Sequence, residues 1–225
     1  MGAGATALIT GASRGIGAAI ADALAPTHTL LLAGRPSPAL QATADRLGAT
    51  TLALDVTDTD AIPAATAAIT DLDVLVHNAG VSLPGRVAES TVDQWRTTFD
   101  VNVVGAVAVT LALLPALRRA QGQVVFINSG AGRTASENMA SYSASKFALR
   151  ALADSLRLSE PTLRVTTVYP GRTDTDMQRE LVSFEGGEYA ADRLLRADTV
   201  AAAVAYAIAT PADGHVHEII LRPRG

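Results

Sequence analysis

Tyr142 and Lys146 are spaced so that one side chain could tune the acidity of the other. They lie four residues apart in the sequence SYSASK at residues 141–146. If this segment is helical, the two side chains share one face and are one turn apart. A nearby ammonium group favours the phenolate and lowers the pKa of a tyrosine, which is about 10 in a free side chain. The pair could therefore exchange protons near neutral pH, although many helices carry such a pair on a solvated face.

A glycine-rich turn follows the first predicted strand, residues 5–10, and precedes a predicted helix over residues 18–25. Glycines allow a tight turn and the close approach of a pyrophosphate, and a helix N-terminus supplies N–H groups and positive potential. The spacing Gly-x-x-x-Gly-x-Gly differs from the common Gly-x-Gly-x-x-Gly fingerprint, and a plain structural turn is the alternative. The predicted cofactor contacts here are Gly11, Ser13, Arg14, Gly15, Ile16 and Gly17.

The second predicted strand, residues 28–33, ends in Gly34-Arg35-Pro36 without an acidic residue. In dinucleotide sites, an acid near this strand end binds the ribose 2′-OH, whereas an arginine accommodates a 2′-phosphate. Arg35 and Arg14 are both available for that role, although each could instead be a solvated surface charge. The sequence therefore predicts NADP(H) as the preferred cofactor, with NAD(H) still possible.

Unusual residues also follow the later predicted strands. Asp55 and Val56 follow the strand at residues 50–54, and Asp55 could contact an adenine edge or open the next turn and cap the following helix. Asn78, Ala79 and Gly80 follow the strand at residues 73–77, where small residues let a ligand lie close to the backbone. Ser129 follows the strand at residues 123–127. Ligands of parallel α/β sheets bind at these carboxyl ends.

The elements that must position these residues alternate between strand and helix. This alternation predicts an α/β fold with a parallel sheet and helices on both faces. Residues 178–196 are predicted to form short helices and a mobile flap over the crevice. The absence of a linker or repeat predicts one domain over residues 1–225. The remaining predicted elements are helices at residues 38–47, 58–70, 91–120, 136–159 and 198–210, and strands at residues 163–169 and 217–221.

Composition narrows the partners and the location. The net charge of -4 argues against nucleic acid or an anionic membrane as the main partner. There are no cysteines, which excludes disulfides and cysteine-based metal sites, and the histidine spacings predict no metal site. No apolar run is expected to reach the roughly 18 residues of a membrane span. Residues 1–5 show no secretory signal, so a soluble cytoplasmic protein is expected.

Together, the motifs resemble those of the short-chain dehydrogenase/reductase family. They occur in the family's order and at its spacing, from about residue 5 to residue 221. The resemblance implies a single-domain Rossmann-like, doubly wound sheet of about seven parallel strands. It also implies hydride transfer between NAD(P) and a carbonyl or alcohol carbon of a small organic substrate. The matching pieces are Thr10-Gly11-x-x-x-Gly15-x-Gly17, Asn78-Ala79-Gly80, Asn102, Ser129, Tyr142-x-x-x-Lys146 and Pro170-Gly171 followed by Thr175.

The resemblance implies a catalytic role for four residues. Tyr142 would be the general acid in reduction and the base in oxidation. Lys146 would lower the Tyr142 pKa and hold the nicotinamide ribose. Ser129 would bind the substrate oxygen, and Asn102 would hold a water in a proton relay to solvent. These roles agree with the physical argument, because a carbonyl that accepts hydride develops oxyanion charge that two hydroxyls can stabilise.

The resemblance also extends the cofactor site. Thr175, with the backbone near Thr173, would bind the nicotinamide carboxamide, and Arg14 and Arg35 go with NADP in this family. The sequence departs from the family at His77, where an asparagine is frequent, and at Thr173, where an aliphatic residue is common. The cofactor contacts predicted beyond the glycine-rich turn are Arg35, Asp55, Val56, Asn78, Ala79, Gly80, Tyr142, Lys146, Pro170, Gly171, Thr173 and Thr175.

Two further expectations follow from the resemblance. Family members usually pair through the two long helices, here beginning near residues 91 and 136, so a homodimer or homotetramer is expected. Apolar residues such as Phe147, Leu149 and Leu152 could serve that interface or the core instead. A non-redox epimerase or dehydratase, or a cofactor-binding regulator, is the alternative function on the same scaffold.

Overall fold

A seven-stranded parallel sheet organises the computed structural model, which describes residues 4–224. The strand order is β3-β2-β1-β4-β5-β6-β7, and every neighbouring pair is parallel. This confirms the predicted Rossmann-like α/β fold. The strands are β1 Ala5–Thr10, β2 His28–Gly34, β3 Thr50–Ala53, β4 Val74–His77, β5 Gln123–Ile127, β6 Arg164–Pro170 and β7 Glu218–Leu221.

The winding of the chain reverses at β1, which pairs with β2 on one side and with β4 on the other. The chain first builds outward through β2 and β3 and then returns to continue through β4 on the opposite side. Such a reversal opens a crevice at the carboxyl ends of the two central strands. The glycine-rich turn after β1 and the Asn78 segment after β4 therefore border the same crevice.

Helices connect the strands and cover the sheet. Two of the predicted ranges are too long. The helices are α1 Gly15–Leu24, α2 Pro38–Leu47, α3 Ile62–Thr66, α4 Val92–Phe99, α5 Gly105–Ala120, α6 Ala140–Ser159, α7 Asp176–Phe184 and α8 Ala197–Ala209. A π-helical turn at Asp100–Val104 joins α4 to α5, so the predicted stretch at residues 91–120 is helical almost throughout.

The helix predicted over residues 58–70 is wrong except for the five residues of α3. Side chains before it hold the backbone in turns instead. Asp55 Oδ1 accepts from the Thr57 N–H at 2.9 Å, and Asp58 Oδ1 accepts from the Ala61 N–H at 3.3 Å. Such local side-chain bonds compete with helix formation.

The helix predicted from residue 136 begins at Ala140 because the preceding backbone pairs elsewhere. The Gly85 N–H donates to the Asn138 carbonyl at 2.7 Å, and the Ala140 N–H donates to the Gly85 carbonyl at 3.2 Å. A contact with a segment far away in sequence thus sets the start of α6. A local sequence pattern cannot predict this long-range contact.

Alternating strand residues enter two separate cores, one on each face of the sheet. Leu8 belongs to one core and Ile9 to the other, as the two-residue period of a strand requires. The Ile9 core includes residues of α1 and α8, whereas the Leu8 core includes residues of α5 and α6. The sheet is therefore covered on both sides, and its strand ends are left for the site.

The stretch Val92–Ala120 is long and apolar enough to span a membrane by length and composition, with a mean hydropathy of 1.9 over its best window. This contradicts the expectation that no such stretch exists. Its inward side chains Val109, Leu113 and Leu117 are buried in the core beneath the sheet. This packing accounts for part of the hydropathy, since 44% of that window is buried.

Candidate active site

Tyr142 and Lys146 both lie in the first turns of α6 and are buried, with 8% and 4% of their surface exposed. The predicted helix is present at this position, and the alternative of a solvated surface pair is wrong. The Lys146 Nζ lies 5.6 Å from the centre of the Tyr142 ring and donates to the Ile127 carbonyl at 3.0 Å. The ammonium group is thereby tied to the carboxyl end of β5. Lys146 is also the only lysine in the sequence.

The electrostatics of this pair differ from the prediction. Burial raises the pKa of Tyr142, and the Ser129 hydroxyl, as a hydrogen-bonding partner, lowers it by less. Burial also lowers the pKa of Lys146 to about 8. The net shift of the Tyr142 pKa is therefore upward, opposite to the predicted lowering, because loss of water favours the neutral form of both groups.

Ser129 follows β5 and faces the same site. Its backbone is extended, and its Oγ accepts from the Ala131 N–H at 3.1 Å. A hydroxyl carries one donor in addition to its acceptor sites, so the Ser129 hydrogen remains available for Tyr142 or for a substrate oxygen. The structure thus brings together Ser129, Tyr142 and Lys146.

Asn128 is a positioning residue that the sequence analysis missed. It is buried, its Oδ1 accepts from the Ser129 N–H at 2.8 Å, and its Nδ2 donates to the Lys146 carbonyl at 3.0 Å. A Cβ at Gly132 would lie 2.2 Å from Asn128 Oδ1, so only glycine fits there. The sequence signal that could have found it is a polar residue between the buried strand and the predicted Ser129.

Asn102 lies in the π-helical turn and uses its amide to hold two other segments. Its Oδ1 accepts from the Val81 N–H at 2.8 Å, and its Nδ2 donates to the Val81 carbonyl at 2.9 Å and to Ser145 Oγ at 3.0 Å. Ser145 in turn donates to the Tyr142 carbonyl at 2.7 Å. Asn102 therefore fixes the backbone of the tyrosine turn, and Ser145, which was not predicted, links the two.

The glycine-rich turn requires glycine at the predicted positions. Gly11 and Gly15 have positive φ angles of 67° and 57°, which L side chains rarely adopt. A Cβ at Gly17 would lie 2.3 Å from the Gly11 carbonyl oxygen and 2.4 Å from Asn78 Nδ2. The turn is thus packed against the backbone that follows β4.

Thr10 and Asn78 lock the ends of β1 and β4 together. Thr10 Oγ1 donates to the Val76 carbonyl and accepts from the N–H groups of Asn78 and Ala79 at 3.0 and 3.1 Å. Asn78 Nδ2 donates to the carbonyls of Thr10 and Gly11 at 3.1 and 3.0 Å. Thr10 belongs to the motif, but its clamping role was not predicted. Gly80 lies beside the Asn102 Oδ1 and Lys146 Nζ atoms.

The N-terminus of α1 offers the donors that a dinucleotide pyrophosphate needs. Arg14 stands at the N-cap in an extended conformation and makes no side-chain cap bond, and the first turn contains no acidic residue. The first N–H groups of a helix lack partners within the helix, so this end can hold an anion. Ser13 is half-buried in this turn, and Ile16 lines the adjacent cavity. The residues present fit a bound dinucleotide.

Arg14 and Arg35 are exposed at this end of the sheet, and both have nearby carboxylates. Arg14 Nη1 lies 3.0 Å from Asp176 Oδ2, at the start of α7. Two hydrogen bonds from Thr57 lower the pKa of Asp55, and the charge of Arg35 adds to this effect. Asp55 therefore forms the turn that was one of its two predicted roles. Val56 packs against Gly105, where a Cβ would lie 2.6 Å from its carbonyl oxygen.

The predicted carboxamide segment runs from Pro170, the last residue of β6, into α7. Thr173 is buried and donates to the Gly171 carbonyl at 3.0 Å. Thr175 caps α7 by accepting from the Gln178 N–H at 3.3 Å, and its methyl group lies near Gly15. The segment therefore reaches back to the glycine-rich turn.

The region predicted as a mobile flap contains α7 and a short 3₁₀ turn at Ala191–Arg193. Its two ends are tied together, because the Asp174 N–H donates to the Leu195 carbonyl at 2.8 Å and the Leu195 N–H donates to the Arg172 carbonyl at 3.0 Å. Beneath it lies a cavity of about 710 Å³. Ser129, Tyr142 and Gly171 line this cavity together with side chains of α7.

The histidines have structural environments. His77 is buried, stacks on Phe126 with ring centres 4.8 Å apart, and has a pKa lowered by burial to about 3. Thr110 gives its hydroxyl hydrogen to the Ala106 carbonyl, so its contact with His77 Nε2 at 2.8 Å requires the histidine to donate. Within residues 4–224, no group of three His, Asp or Glu side chains could hold a metal.

Comparison with known proteins shows the family. The family model described as short chain dehydrogenase matches residues 5–186. The chain belongs to the short-chain dehydrogenase/reductase family. This confirms the family that the sequence motifs resemble and establishes an oxidoreductase family for the protein.

Named relatives and a solved structure agree. An uncharacterized oxidoreductase of Staphylococcus epidermidis is 34% identical over 96% of both chains. Glycine betaine reductase ATRR of Emericella nidulans is 37% identical over 98% of this chain, which spans only 19% of that protein. The structure of an alcohol dehydrogenase from the archaeon Thermococcus sibiricus, complexed with 5-hydroxy-NADP, superposes with a TM-score of 0.88. The two sequences are 29% identical, and the superposition covers 97% of this chain and 96% of the archaeal chain.

Proposed function

We propose that this protein is an NADP(H)-dependent oxidoreductase that interconverts a carbonyl group and an alcohol on a small organic substrate. The observation that carries the proposal is the set of the half-buried Ser129 with the buried Tyr142 and Lys146. Two of these groups line a cavity at the strand ends, next to a turn built to hold a pyrophosphate. The same arrangement serves reduction and oxidation, because each proton step can run in either direction.

Tyr142 and Ser129 provide the acid and the oxyanion contacts. In reduction, the Tyr142 hydroxyl donates its proton to the carbonyl oxygen, and the Ser129 hydroxyl donates a hydrogen bond to the same oxygen. Both donors line one cavity, so they can stabilise the negative charge that develops on the same oxygen. In oxidation, Tyr142 accepts the alcohol proton.

Lys146 and Asn102 support this tyrosine. With a pKa of about 8, Lys146 is close enough to neutral pH to share a proton with its surroundings. Its ammonium group, held at the carboxyl end of β5 by the Ile127 carbonyl, could hold a ribose hydroxyl. Asn102 positions the tyrosine turn through Ser145. We further propose that it takes part in a water relay to solvent.

The cofactor would be held along the crevice between β1 and β4. The glycine-rich turn and the N-terminus of α1 would bind the pyrophosphate, Asn78 to Gly80 would lie beside the dinucleotide, and the segment from Pro170 to Thr175 would bind the carboxamide. A bound nicotinamide supplies or accepts the hydride. Arg14 and Arg35 would contact a 2′-phosphate, which favours NADP(H) over NAD(H). The NADP derivative bound to the related archaeal dehydrogenase supports this preference.

A turnover assay tests the proposal. Purified protein is mixed with NADPH and a panel of aldehydes and ketones, and the loss of NADPH absorbance is followed. We expect activity in the wild type and a loss of at least about 100-fold in Tyr142→Phe, since a general acid contributes about that factor or more. Equal rates in both proteins would contradict the role of Tyr142. Product formation without NADPH loss would instead indicate the non-redox alternative.

Assembly is a separate proposal. Exposed apolar side chains lie along α5 and α6, among them Leu111 at 64% and Leu158 at 85% exposure. Phe147 is also exposed, whereas Leu149 is buried in the core, which is the other role that the sequence left open for it. We propose a homodimer or homotetramer formed through these helices, which light scattering measures. We also propose that residues 1–225 act as one cytoplasmic domain.

A further inference from the structure

Among the residues that the structure describes, no carboxylate neutralises one of the guanidinium groups in the cavity wall. Two carboxylates line the same wall, and both are paired: Glu185 with Arg172 at 2.5 Å, and Glu137 with Arg86 at 2.6 Å. Arg222 follows β7 and lines the cavity as well. Within residues 4–224, no carboxylate oxygen lies within 4 Å of its side-chain nitrogens.

Arg222 is exposed, but backbone carbonyls hold one nitrogen of its guanidinium. Its Nη1 donates to the Tyr169 carbonyl at 3.2 Å and to the Leu221 carbonyl at 2.9 Å. The guanidinium lies over Gly130, where a Cβ would be 3.3 Å from Nη2 and 3.5 Å from Cζ. Its Nη2 and Nε have no acceptor among the described residues. One edge of the fork is therefore fixed by the backbone, and the rest is available to a ligand.

The position of this charge relates it directly to the reacting centre. Gly130 is the residue after Ser129, and consecutive Cα atoms are about 3.8 Å apart. The guanidinium over Gly130 is therefore close to Ser129 along the same cavity wall, so a substrate whose oxygen contacts Ser129 and Tyr142 can direct a second group towards it. A planar guanidinium recognises carboxylate and phosphate oxygens by paired hydrogen bonds.

A second unpartnered donor lines the same cavity. Gln178 on α7 is only 7% exposed, yet its Nε2 has no hydrogen-bond partner. Leaving a buried donor unpaired is costly, so such a group in a cavity wall is suited to an oxygen atom of a ligand. Gln178 and Arg222 both favour a substrate that is rich in oxygen.

We infer that Arg222 selects a substrate that carries an anionic group, most simply a short oxo acid or hydroxy acid whose carboxylate binds the guanidinium. This inference rests on the proposed function and deepens it. In reduction, the oxo acid gains the hydride at its carbonyl carbon and the Tyr142 proton at its oxygen, and it leaves as the hydroxy acid with its carboxylate unchanged.

Matched substrates test the inference. The probes are 2-oxobutanoate, 3-oxobutanoate and 4-oxopentanoate, each measured beside its methyl ester, which removes the charge and adds one methyl group; comparing the acid-to-ester ratio between variants cancels the intrinsic difference in reactivity. For the acid with the best spacing, we expect kcat/KM to exceed that of the ester in the wild type. We expect this acid-to-ester ratio to fall about 10- to 100-fold in Arg222→Gln, the range expected for a hydrogen bond to a charged group, and to recover in part in Arg222→Lys.

A control variant separates recognition from loss of charge or fold. Arg224 is exposed, lies two residues further along the same segment and does not line the cavity, so Arg224→Gln removes an equal charge. We expect its ratio to match the wild type. A structural role of Arg222 would lower both rates together and leave the ratio unchanged, and that result would overturn the inference. A wild-type preference for all three esters would do the same.

Binding provides a readout that does not depend on turnover. Titration calorimetry of 3-oxobutanoate into protein with NADP⁺ should give an affinity that weakens in Arg222→Gln and weakens with added salt, unlike that of its ester. If neutral carbonyls are reduced but no acid binds more tightly than its ester, this inference fails and the proposed function stands. If the acids bind through Arg222 but nothing is reduced, the proposed function fails instead.

Discussion

The two halves of the site are held together by different kinds of contact. At the ends of β1, β4 and β5, buried hydrogen bonds and glycines that admit no Cβ interlock three segments around Thr10, Asn78 and Asn128. Around α7, largely exposed ion pairs such as Arg14–Asp176 and Arg172–Glu185 predominate. Buried, fully paired networks rigidify a structure, whereas exposed ion pairs contribute about 1 kcal/mol or less. The first half can therefore hold a fixed cofactor geometry, and the second can change with the substrate.

We call the region at the ends of β1, β4 and β5 the interlocked half of the site and the region around α7 the exposed half. The largest effect is expected from a methyl group in the interlocked half. Gly17→Ala would place a Cβ 2.3 Å from the Gly11 carbonyl oxygen, and a backbone atom cannot yield as a flexible side chain can. We expect the free energy of unfolding in urea to fall by about 3 kcal/mol or more and dinucleotide binding to be lost. Gly85→Ala is the matched control, because its Cβ would meet no atom within 4 Å. Equal stability of the two variants would show that the turn is not tightly packed.

Parts of this contrast could be predicted from the sequence. The glycine-rich turn, the Asn78 segment and Ser129 were predicted because strand ends and glycine spacing are local patterns. The same reasoning failed at residues 58–70, where two aspartates bond to nearby backbone, and at the start of α6, which Gly85 sets from a distance. Arg222 belongs to no motif, since only the folded chain brings it beside Gly130. Local patterns thus described the interlocked half better than the exposed one.

The sign of the Tyr142 pKa shift was also missed, because burial cannot be read from spacing. Two residues at positions i and i+4 predict proximity and therefore a charge effect. The fold places both in a water-poor interior, where loss of solvation outweighs that attraction. The consequence for Lys146 can be measured directly.

A second, intermediate effect concerns the pH dependence of the interlocked half. The pKa of Lys146 is about 8 in the folded protein, against 10.5 for a free lysine. Between these values the unfolded chain binds the proton and the folded protein does not, so stability should rise with pH across this window by up to about 1.4 kcal/mol per pH unit. Lys146→Met should abolish this contribution, measured as the difference between the two urea-unfolding profiles at pH 7.5 to 10.5.

The single lysine makes the same shift visible by spectroscopy. Labelling with ¹³C-lysine gives one Cε resonance, whose titration midpoint should lie near 8. A midpoint near the free value of 10.5 would mean that water reaches the ammonium group, and the buried half would then be less closed than its contacts indicate.

The smallest effect is expected in the exposed half, where Arg14 pairs with Asp176 and is also the proposed ligand of a 2′-phosphate. In the structure it pairs with Asp176, 3.0 Å away, with 71% and 56% of the two side chains exposed. If Arg14 also binds a 2′-phosphate, the carboxylate competes with the cofactor for the same guanidinium. Asp176→Asn removes that competition, so we expect NADPH to bind about two- to fivefold more tightly, in line with an exposed pair worth less than about 1 kcal/mol.

NADH supplies the internal control, because it lacks the 2′-phosphate of NADPH. Its affinity should be unchanged by Asp176→Asn, and Arg14→Gln should remove the difference between the two Asp176 forms. Titration calorimetry at low and high salt measures the affinity of each cofactor for the four proteins, which are the wild type, the two single variants and the double variant. The gain in NADPH affinity should shrink as salt screens the exposed charges. A gain of the same size for NADH would mean that Asp176 acts by general repulsion of the dinucleotide. A gain confined to NADPH would link the start of α7 to the choice of cofactor. The exposed Arg14–Asp176 pair would then tune cofactor affinity without stabilising the interlocked half.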